Sequence, residues 1–378
     1  MKVLIFCDTF YPEKNSAAKL LNDLSIFISK KNKHNVDIFT INGDYSSKSK
    51  DLFKIFSLNI KNIKSKTLFI RGLLELYSGF YFIFLHLRYR CSTPYKKIIY
   101  YNPSILQFFF LIYLKLFYQK SNFILILRDI FPDWAIELGI IKNIFIKKFL
   151  YFSKFINIHF SDLVFCESKS KLNFIKKQFP KKNIKLLYNW TNFNVGDIKK
   201  NINRSKTKKF IYAGNIGNAQ DVSSCVNFIV GLSNKGHTVD FFSEGRKFHE
   251  LSLILKDYKN INFFDTISPD ELDLIISNYD GGLIFLSESL TLDNIPGKVL
   301  LYLANGIPTF GAINFNNELI DIINQNALGL LTGSRRLINS EKFINKVIEN
   351  CNNLDPKNIN FVGSQLFSVG SAFDKIFS

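Results

Sequence analysis

"FIYAGNIGNAQDV", residues 210–222, decides how the rest of the chain is read. A short apolar run ends at Gly214, passes through Asn215, Ile216, Gly217 and Asn218, and leads into a helix expected to start near Gln220. A buried strand that turns through glycine into a helix is half of a parallel β-α-β unit. Glycine at that turn also lets backbone N–H groups approach an anion at the helix start. "SEGRKFHEL" (243–251) repeats the device, with Gly245 before Arg246. "NIPGKVLLYLANGIPTFG" (294–311) does so again, with Lys298 placed at a helix start after Pro296 and Gly297.

The same alternation runs outward in both directions. Strands are expected at 2–6, 36–41, 97–101, 123–127, 163–165 and 184–188, then at 210–214, 239–243, 261–265, 282–286, 307–311 and 328–331. Nearly continuous apolar strands separated by helical segments indicate an α/β protein with doubly wound parallel sheets covered on both faces. At 378 residues the chain suits two such domains. The polar stretch 191–209 reads as the linker, which puts one domain at 1–190 and the other at 210–360.

Five widely spaced cysteines (Cys7, Cys91, Cys166, Cys225, Cys351) form no CxxC pair and no Cys/His cluster, so neither a disulfide framework nor a zinc site is expected. The strand-like "KVLIF" at the N-terminus leaves no sign of a signal peptide. Two apolar runs, 72–87 and 104–118, are interrupted by Glu75 and Lys115; they read as buried helices of a Phe-rich core, not as spans.

Charge divides the chain unevenly. Residues 1–190 hold 31 Lys and Arg against 12 Asp and Glu, a net of +19, and the remainder nets −1. Such a field implies a polyanionic partner surface. Residues 141–160 mix a wide apolar face with Lys142, Lys147, Lys148 and Lys154, a pattern of interfacial membrane helices, and more lysines follow between Lys169 and Lys182. No nucleic-acid-binding signature accompanies the charge, so an anionic membrane surface is the expected partner. The bland alternative is a solvated lysine-rich face.

Two motifs of the first half are candidates for chemistry. Asn15, Ser16, Ala17 and Ala18 open a helix after the first strand, as an anion or hydroxyl site or simply as a helix cap. In "RDIFPDWAIELG" (128–139), Arg128 and Asp129 end the strand at 123–127 and Asp133 precedes Glu137 by one turn. Ionisable groups beside an apolar strand end are paired structurally or used in function. No GxGxxG is present, so a nicotinamide or flavin cofactor is not expected.

The order of "YPEKNSAAKL", "RDIFPDWAIELG", "YNWTNF", "YAGNIGNAQDV", "SEGRKFHEL" and "IPGKVLLYLANGIPTFG" resembles family 4 (GT-B) retaining glycosyltransferases, in the bacterial branch that transfers amino sugars in O-antigen and capsule assembly. The resemblance implies two facing Rossmann-like domains with an interdomain cleft, and a C-terminal helix at 361–378 packing back on the first domain. It implies a metal-independent transfer without a cofactor, from a nucleotide sugar (a UDP-sugar) on the C-terminal domain to a polyprenyl-diphosphate-linked glycan on the N-terminal domain. The setting would be the cytoplasmic face of the bacterial inner membrane. Carried over by motif, Gly214, Asn215, Gly217 and Asn218 face the diphosphate and Lys298 neutralises it. Arg246, Asp293, Pro296 and Gly297 complete the donor side, Asp129 lies near the donor sugar, and Ser16, Ala17, Arg128 and Asp133 border the acceptor. Two features depart from the pattern. The loop "NIGNAQD" lacks the Arg and Lys that many members carry, and Leu301 stands where a second glutamate is expected eight residues after Asp293. A sugar-nucleotide 2-epimerase or a non-catalytic membrane scaffold would share the same architecture.

Overall fold

Every residue of β1 (Lys2–Cys7) is buried, as befits a central strand covered on both faces. The computed structural model describes residues 1–13, 15–32, 34–45, 52–60, 67–89, 93–102, 105–196, 198, 205–217, 219–267, 269–290, 293 and 295–378, the side chains of residues 32, 68, 246, 269 and 270 excepted. The chain forms two units, Met1–Tyr188 with Ala372–Ser378, and Asn189–Ser371.

In the first unit, β1 is joined by β2 (Asn35–Thr40), β3 (Lys54–Ser57), β4 (Lys97–Asn102), β5 (Asn122–Leu127), β6 (Leu163–Cys166) and β7 (Ile184–Leu186). All pair in parallel, in the order β3-β2-β1-β4-β5-β6-β7. Its helices are α1 (Ser16–Asn32), α2 (Leu68–Arg88), α3 (Phe108–Phe117), α4 (Asp133–Glu137), α5 (Ile144–Phe160) and α6 (Lys169–Gln178). Side chains mark their starts. Asn143 accepts from the amides of Phe145 and Ile146 at α5, and Ser168 accepts from Lys171 at α6. Strand β3 was not expected: its four residues sit at the sheet edge and none is fully buried, so no apolar run marks it.

In the second unit, β8 (Lys209–Ala213), β9 (Thr238–Phe242), β10 (Ile261–Phe264), β11 (Gly281–Phe285), β12 (Thr309–Ala312) and β13 (Gly329–Thr332) form a parallel sheet in the order β10-β9-β8-β11-β12-β13. Helices α7 (Val226–Asn234), α8 (Arg246–Leu255), α9 (Pro269–Ile275), α10 (Gly297–Ala304), α11 (Leu319–Gln325), α12 (Arg335–Ile338), α13 (Glu341–Asn353) and α14 (Pro356–Phe367) accompany it, and α15 (Val369–Phe377) ends the chain. Phe210, Tyr212, Phe228, Phe241, Phe285 and Phe310 lie in its main core cluster.

Three expectations are corrected. The helix after β8 starts later than Gln220, with a single 3₁₀ turn at Ser223–Cys225 leading into α7, because Gln220 turns back to bond the loop. The C-terminal segment is two helices. Ser368 is extended between them, and Thr191 donates to Phe367 O and accepts from Val369 N, which breaks the helix. Finally, the apolar runs at 72–87 and 104–118 are only half buried. Phe82, Leu85 and His86 of α2 are buried, but Leu73, Tyr77, Phe80, Phe84 and Leu87 are exposed along its other side. Among the described residues no helix is long and apolar enough to cross a membrane.

Candidate functional site

In the second unit the loops that follow β8, β9 and β11 meet at the carboxyl edge of the sheet. Ile216 N donates to Glu244 O (2.9 Å), Ser243 Oγ donates to Gly214 O (2.8 Å), and Ser287 N donates to Ala219 O (2.9 Å). Gly245 adopts φ +110°, and a Cβ there would lie 2.2 Å from Asn215 Oδ1, so only glycine lets these two loops touch.

Lys298 enters this edge from the first turn of α10. Its Nζ lies 3.6 Å from the centroid of the Tyr212 ring and 3.6 Å from where a Cβ on Gly214 would be. Gly214 itself has φ +108°, and the bare backbone there leaves room for the ammonium. Burial pushes the Lys298 amine down to about 7, and no carboxylate among the described residues pairs with it. A cation held against a ring face, beside helix N–H groups that have no intrahelical acceptor, has the chemistry to meet a phosphate-type anion. Tyr212 was not anticipated; it is an ordinary strand residue in the sequence, and only folding brings its ring under Lys298.

The other donor-side candidates are placed as follows. Asn215 is exposed; Gly217 is half-buried and its amide already donates to Gln220 Oε1 (2.9 Å). Pro296 and Gly297 form the start of α10, and Asp293 is buried. Arg246 opens α8 with its side chain outside the described residues, and Asn218 lies outside them altogether. Leu301 packs against an apolar cluster that includes Ile211, Ala213, Tyr302 and Ile307, which accounts for an apolar residue at that position. His237, at the opposite end of the sheet, accepts from Lys208 N through Nδ1 (3.1 Å).

The first-unit candidates fall into three places. Ser16 is exposed and Ala17 half-buried at the start of α1, where Asn15 Oδ1 takes the amide of Ala18 (3.0 Å); the helix cap is therefore Asn15. Arg128 lies with Nε 2.8 Å from Glu167 Oε2 and donates through Nη1 to Tyr101 Oη (2.8 Å). Lys171 bonds Glu167 and also the carbonyl of Arg128 (2.9 Å). Asp129 adjoins this network, and burial raises its carboxyl above the usual range against the pull of Lys171. Asp133 is apart from it, in a buried ion pair with Lys154 (2.6 Å) that Gln178 completes. Lys154 and Lys171, counted above with the surface lysines, are thus internal partners of carboxylates.

No family model matches the sequence, and no curated protein matches it. Solved structures do match, over the whole chain. HepE of Anabaena, solved in complex with UDP and glucose, is 13% identical with a TM-score of 0.64, covering 100% of this chain and 98% of that one. The fold is GT-B. The lipopolysaccharide outer core galactosyltransferase WaaB, in its apo form, is 15% identical with a TM-score of 0.63 (100% and 99% covered). Sucrose-phosphate synthase from Thermosynechococcus elongatus is 12% identical with a TM-score of 0.64 (100% and 99% covered). In this GT-B chain the Lys298 edge belongs to the C-terminal sheet and the Arg128–Glu167–Lys171 network to the N-terminal one.

Proposed function

We propose that this protein is a metal-independent retaining glycosyltransferase that moves an N-acetylated amino sugar from a UDP-sugar to a polyprenyl-diphosphate-linked glycan in bacterial O-antigen or capsule synthesis. The observation that carries the reading is Lys298, an uncompensated amine at the first turn of α10, against Tyr212 and Gly214. A leaving diphosphate gathers negative charge as the sugar–oxygen bond breaks, and a fixed cation with helix N–H groups stabilises that charge where it develops. HepE, which shares the fold, has been solved with UDP, with UDP and glucose, and with UDP-glucose, which makes a uridine donor the first to test. Asp129 is the carboxylate assigned to the donor sugar, and Arg246 and Asp293 remain assigned to the donor side. Ser16, Ala17, Arg128 and Asp133 remain assigned to the acceptor side.

The lipid-linked acceptor and the inner-membrane setting draw support from the first unit. Helix α2 packs on α3 and α3 on α5, with Phe80 stacked on Phe109 at 4.5 Å and Phe108 edge-on to Phe149 and Phe152 at 6.2 Å each. Outward from this layer, Leu73, Phe84, Phe145 and Phe152 are each more than half exposed, and Lys142 and Lys148 are exposed on or next to α5. Aromatic residues interspersed with lysines suit the interface of an anionic bilayer.

The experiment is isothermal titration of UDP, UDP-glucose and UDP-N-acetylglucosamine into wild type and Lys298→Ala, followed by a transfer assay with a polyprenyl-diphosphate glycan. Loss of a charge-assisted contact should weaken UDP binding by about 10- to 100-fold. Equal affinity in the variant would remove Lys298 from the site, and binding of a nucleotide sugar with neither transfer nor hydrolysis would favour the scaffold reading.

A further inference from the structure

Each sheet reverses its strand order once, between β8 and β11 in the second unit and between β1 and β4 in the first. Ligands of doubly wound sheets lie beyond the carboxyl ends of the strands at such a reversal. The amino edge of the first sheet, on the opposite side, carries a cleft of about 470 Å³, within the range of small-ligand sites. Lys97 at the start of β4, Asn122 at the start of β5 and Lys185 in β7 line it, together with Lys120, Asn183 and Ile376 of α15.

Three lysines thus face one small volume, and Asp162 is the one acidic side chain that lines it among the described residues. That carboxylate is already engaged. Its oxygens lie 2.9 and 3.1 Å from Lys115 Nζ, Oδ2 also accepts from Phe123 N (2.8 Å), and Lys182 is near enough to feel both Asp162 and Lys115. Asp374, in a second cleft that Lys97 also lines, is 3.5 Å from Lys31.

Lys97 is half-buried. Its Nζ donates to Ile376 O (2.9 Å) and lies 5.1 Å from the centroid of the Phe377 ring. Burial holds its amine below the usual lysine range, and no carboxylate among the described residues counters that shift. Lys120 and Lys185 are exposed, and neither forms an ion pair among the described residues. Like charges gathered round one recess repel each other, and a multiply charged anion relieves that repulsion. Ammonium groups suit phosphate as point charges on flexible stems, and the amides of Asn122 and Asn183 add neutral donors beside them. A neutral ligand would leave the excess charge unanswered, and a cation would add to it.

We propose that this cleft binds a phosphate-bearing anion, with Lys97, Lys120 and Lys185 as its cationic contacts, at the opposite edge of the sheet from the Arg128–Glu167–Lys171 network. The headgroup of an anionic phospholipid and a soluble polyphosphate both present that chemistry. The site does not depend on the transferase reading.

Acetylation footprinting of the full chain, read lysine by lysine by mass spectrometry, tests it. The probes are inorganic pyrophosphate and phosphatidylglycerol vesicles, at constant ionic strength. Pyrophosphate should slow the acetylation of Lys97, Lys120 and Lys185 and leave Lys176 and Lys177, exposed at the end of α6, unchanged. In Lys120→Gln/Lys185→Gln, which alters only exposed side chains, the pyrophosphate concentration that half-protects Lys97 should rise by about tenfold or more. Asp162→Asn keeps an acceptor for Phe123 N and removes the acid of the cleft, so there the same concentration should fall. Protection by the vesicles as well assigns the site to a lipid headgroup, and protection by pyrophosphate alone assigns it to a soluble polyphosphate. Pyrophosphate that leaves the three lysines unprotected, or slows Lys176 and Lys177 equally, overturns the proposal. So does an unchanged Lys97 response in the double variant, or a weaker one in Asp162→Asn.

Discussion

The amine of Lys298 lies 3.6 Å from the centroid of the Tyr212 ring, near the end of the strand that Gly214 follows. A lysine normally stays charged by remaining in water or by meeting a carboxylate. This one does neither among the described residues, and burial holds it near pH 7. In the proposed reading, a diphosphate bound here would supply the missing counter-charge and draw a proton onto Nζ.

The first prediction follows from that proton. Above about pH 7 the free protein must take up a proton to bind, so UDP affinity should fall by about tenfold per pH unit until the bound-state pKa is reached. Calorimetry in buffers of different ionisation enthalpy should show proton uptake at about pH 8, absent in Lys298→Met. A flat pH profile would mean that Lys298 does not meet the phosphates.

Stability should respond in the opposite sense. The folded-state pKa of Lys298 is depressed, so between about pH 7 and 10 the unfolded chain binds more protons and stability rises with pH. Below about pH 7 the residue is charged in both states and its desolvation is felt in full. Lys298→Met should therefore raise the urea midpoint at about pH 6, and the charge-related part of that gain should vanish above about pH 10.

Gly245→Ala tests the loop contact. At φ +110° a side chain is strained, and its Cβ would lie 2.2 Å from Asn215 Oδ1 and 2.8 Å from Ile216 O. A loss of about 1–3 kcal/mol is expected from the backbone conformation, with further loss from displacing the β8 loop. Urea unfolding and UDP titration should both show it.

Asp133 and Lys154 form a buried pair at 2.6 Å, and removing one partner strands the other. Asp133→Ala should cost about 3–5 kcal/mol in equilibrium unfolding, and the double variant Asp133→Leu/Lys154→Met considerably less. A small effect of Asp133→Ala on stability with a large one on transfer would support its proposed place on the acceptor side, and a large loss of stability alone would make it a purely structural partner of Lys154.

The aromatic layer of the first unit should partition onto anionic vesicles. Lys147→Ala/Lys148→Ala removes two charges worth about 1 kcal/mol each near such a surface, so binding should fall roughly thirtyfold. Phe145→Ser/Phe152→Ser should weaken binding to the same vesicles without changing its salt dependence. Co-sedimentation with phosphatidylglycerol-containing and neutral vesicles distinguishes the two contributions.

Most of the fold was legible because its strands are short apolar runs whose burial follows from composition alone. All twelve expected strands are present within two residues of their positions, and β3 escaped because an edge strand with no buried face leaves no pattern. Helix ends were harder to read. The break at Ser368 depends on Thr191, far away in sequence, and the late start of α7 depends on a side chain folding back to Gly217. In the site, glycine and helix-start signals marked Gly214 and Lys298. Nothing marked Tyr212, and the lysines at 154 and 171 read as surface charge although each meets a buried carboxylate.

The amino-acid sequence by itself determined that two parallel sheets would form, where their strands run and which loops carry glycine, because hydrophobic period and turn chemistry are local properties of the chain. Tertiary structure decided which strand ends are neighbours. The reversals at β1/β4 and β8/β11 set Asn102 beside Asp8 and Lys298 over Tyr212. It also decided which apolar helix faces stay outside. Those outcomes depend on strand order and on how helices share the faces of a sheet, and residues distant in sequence settle both.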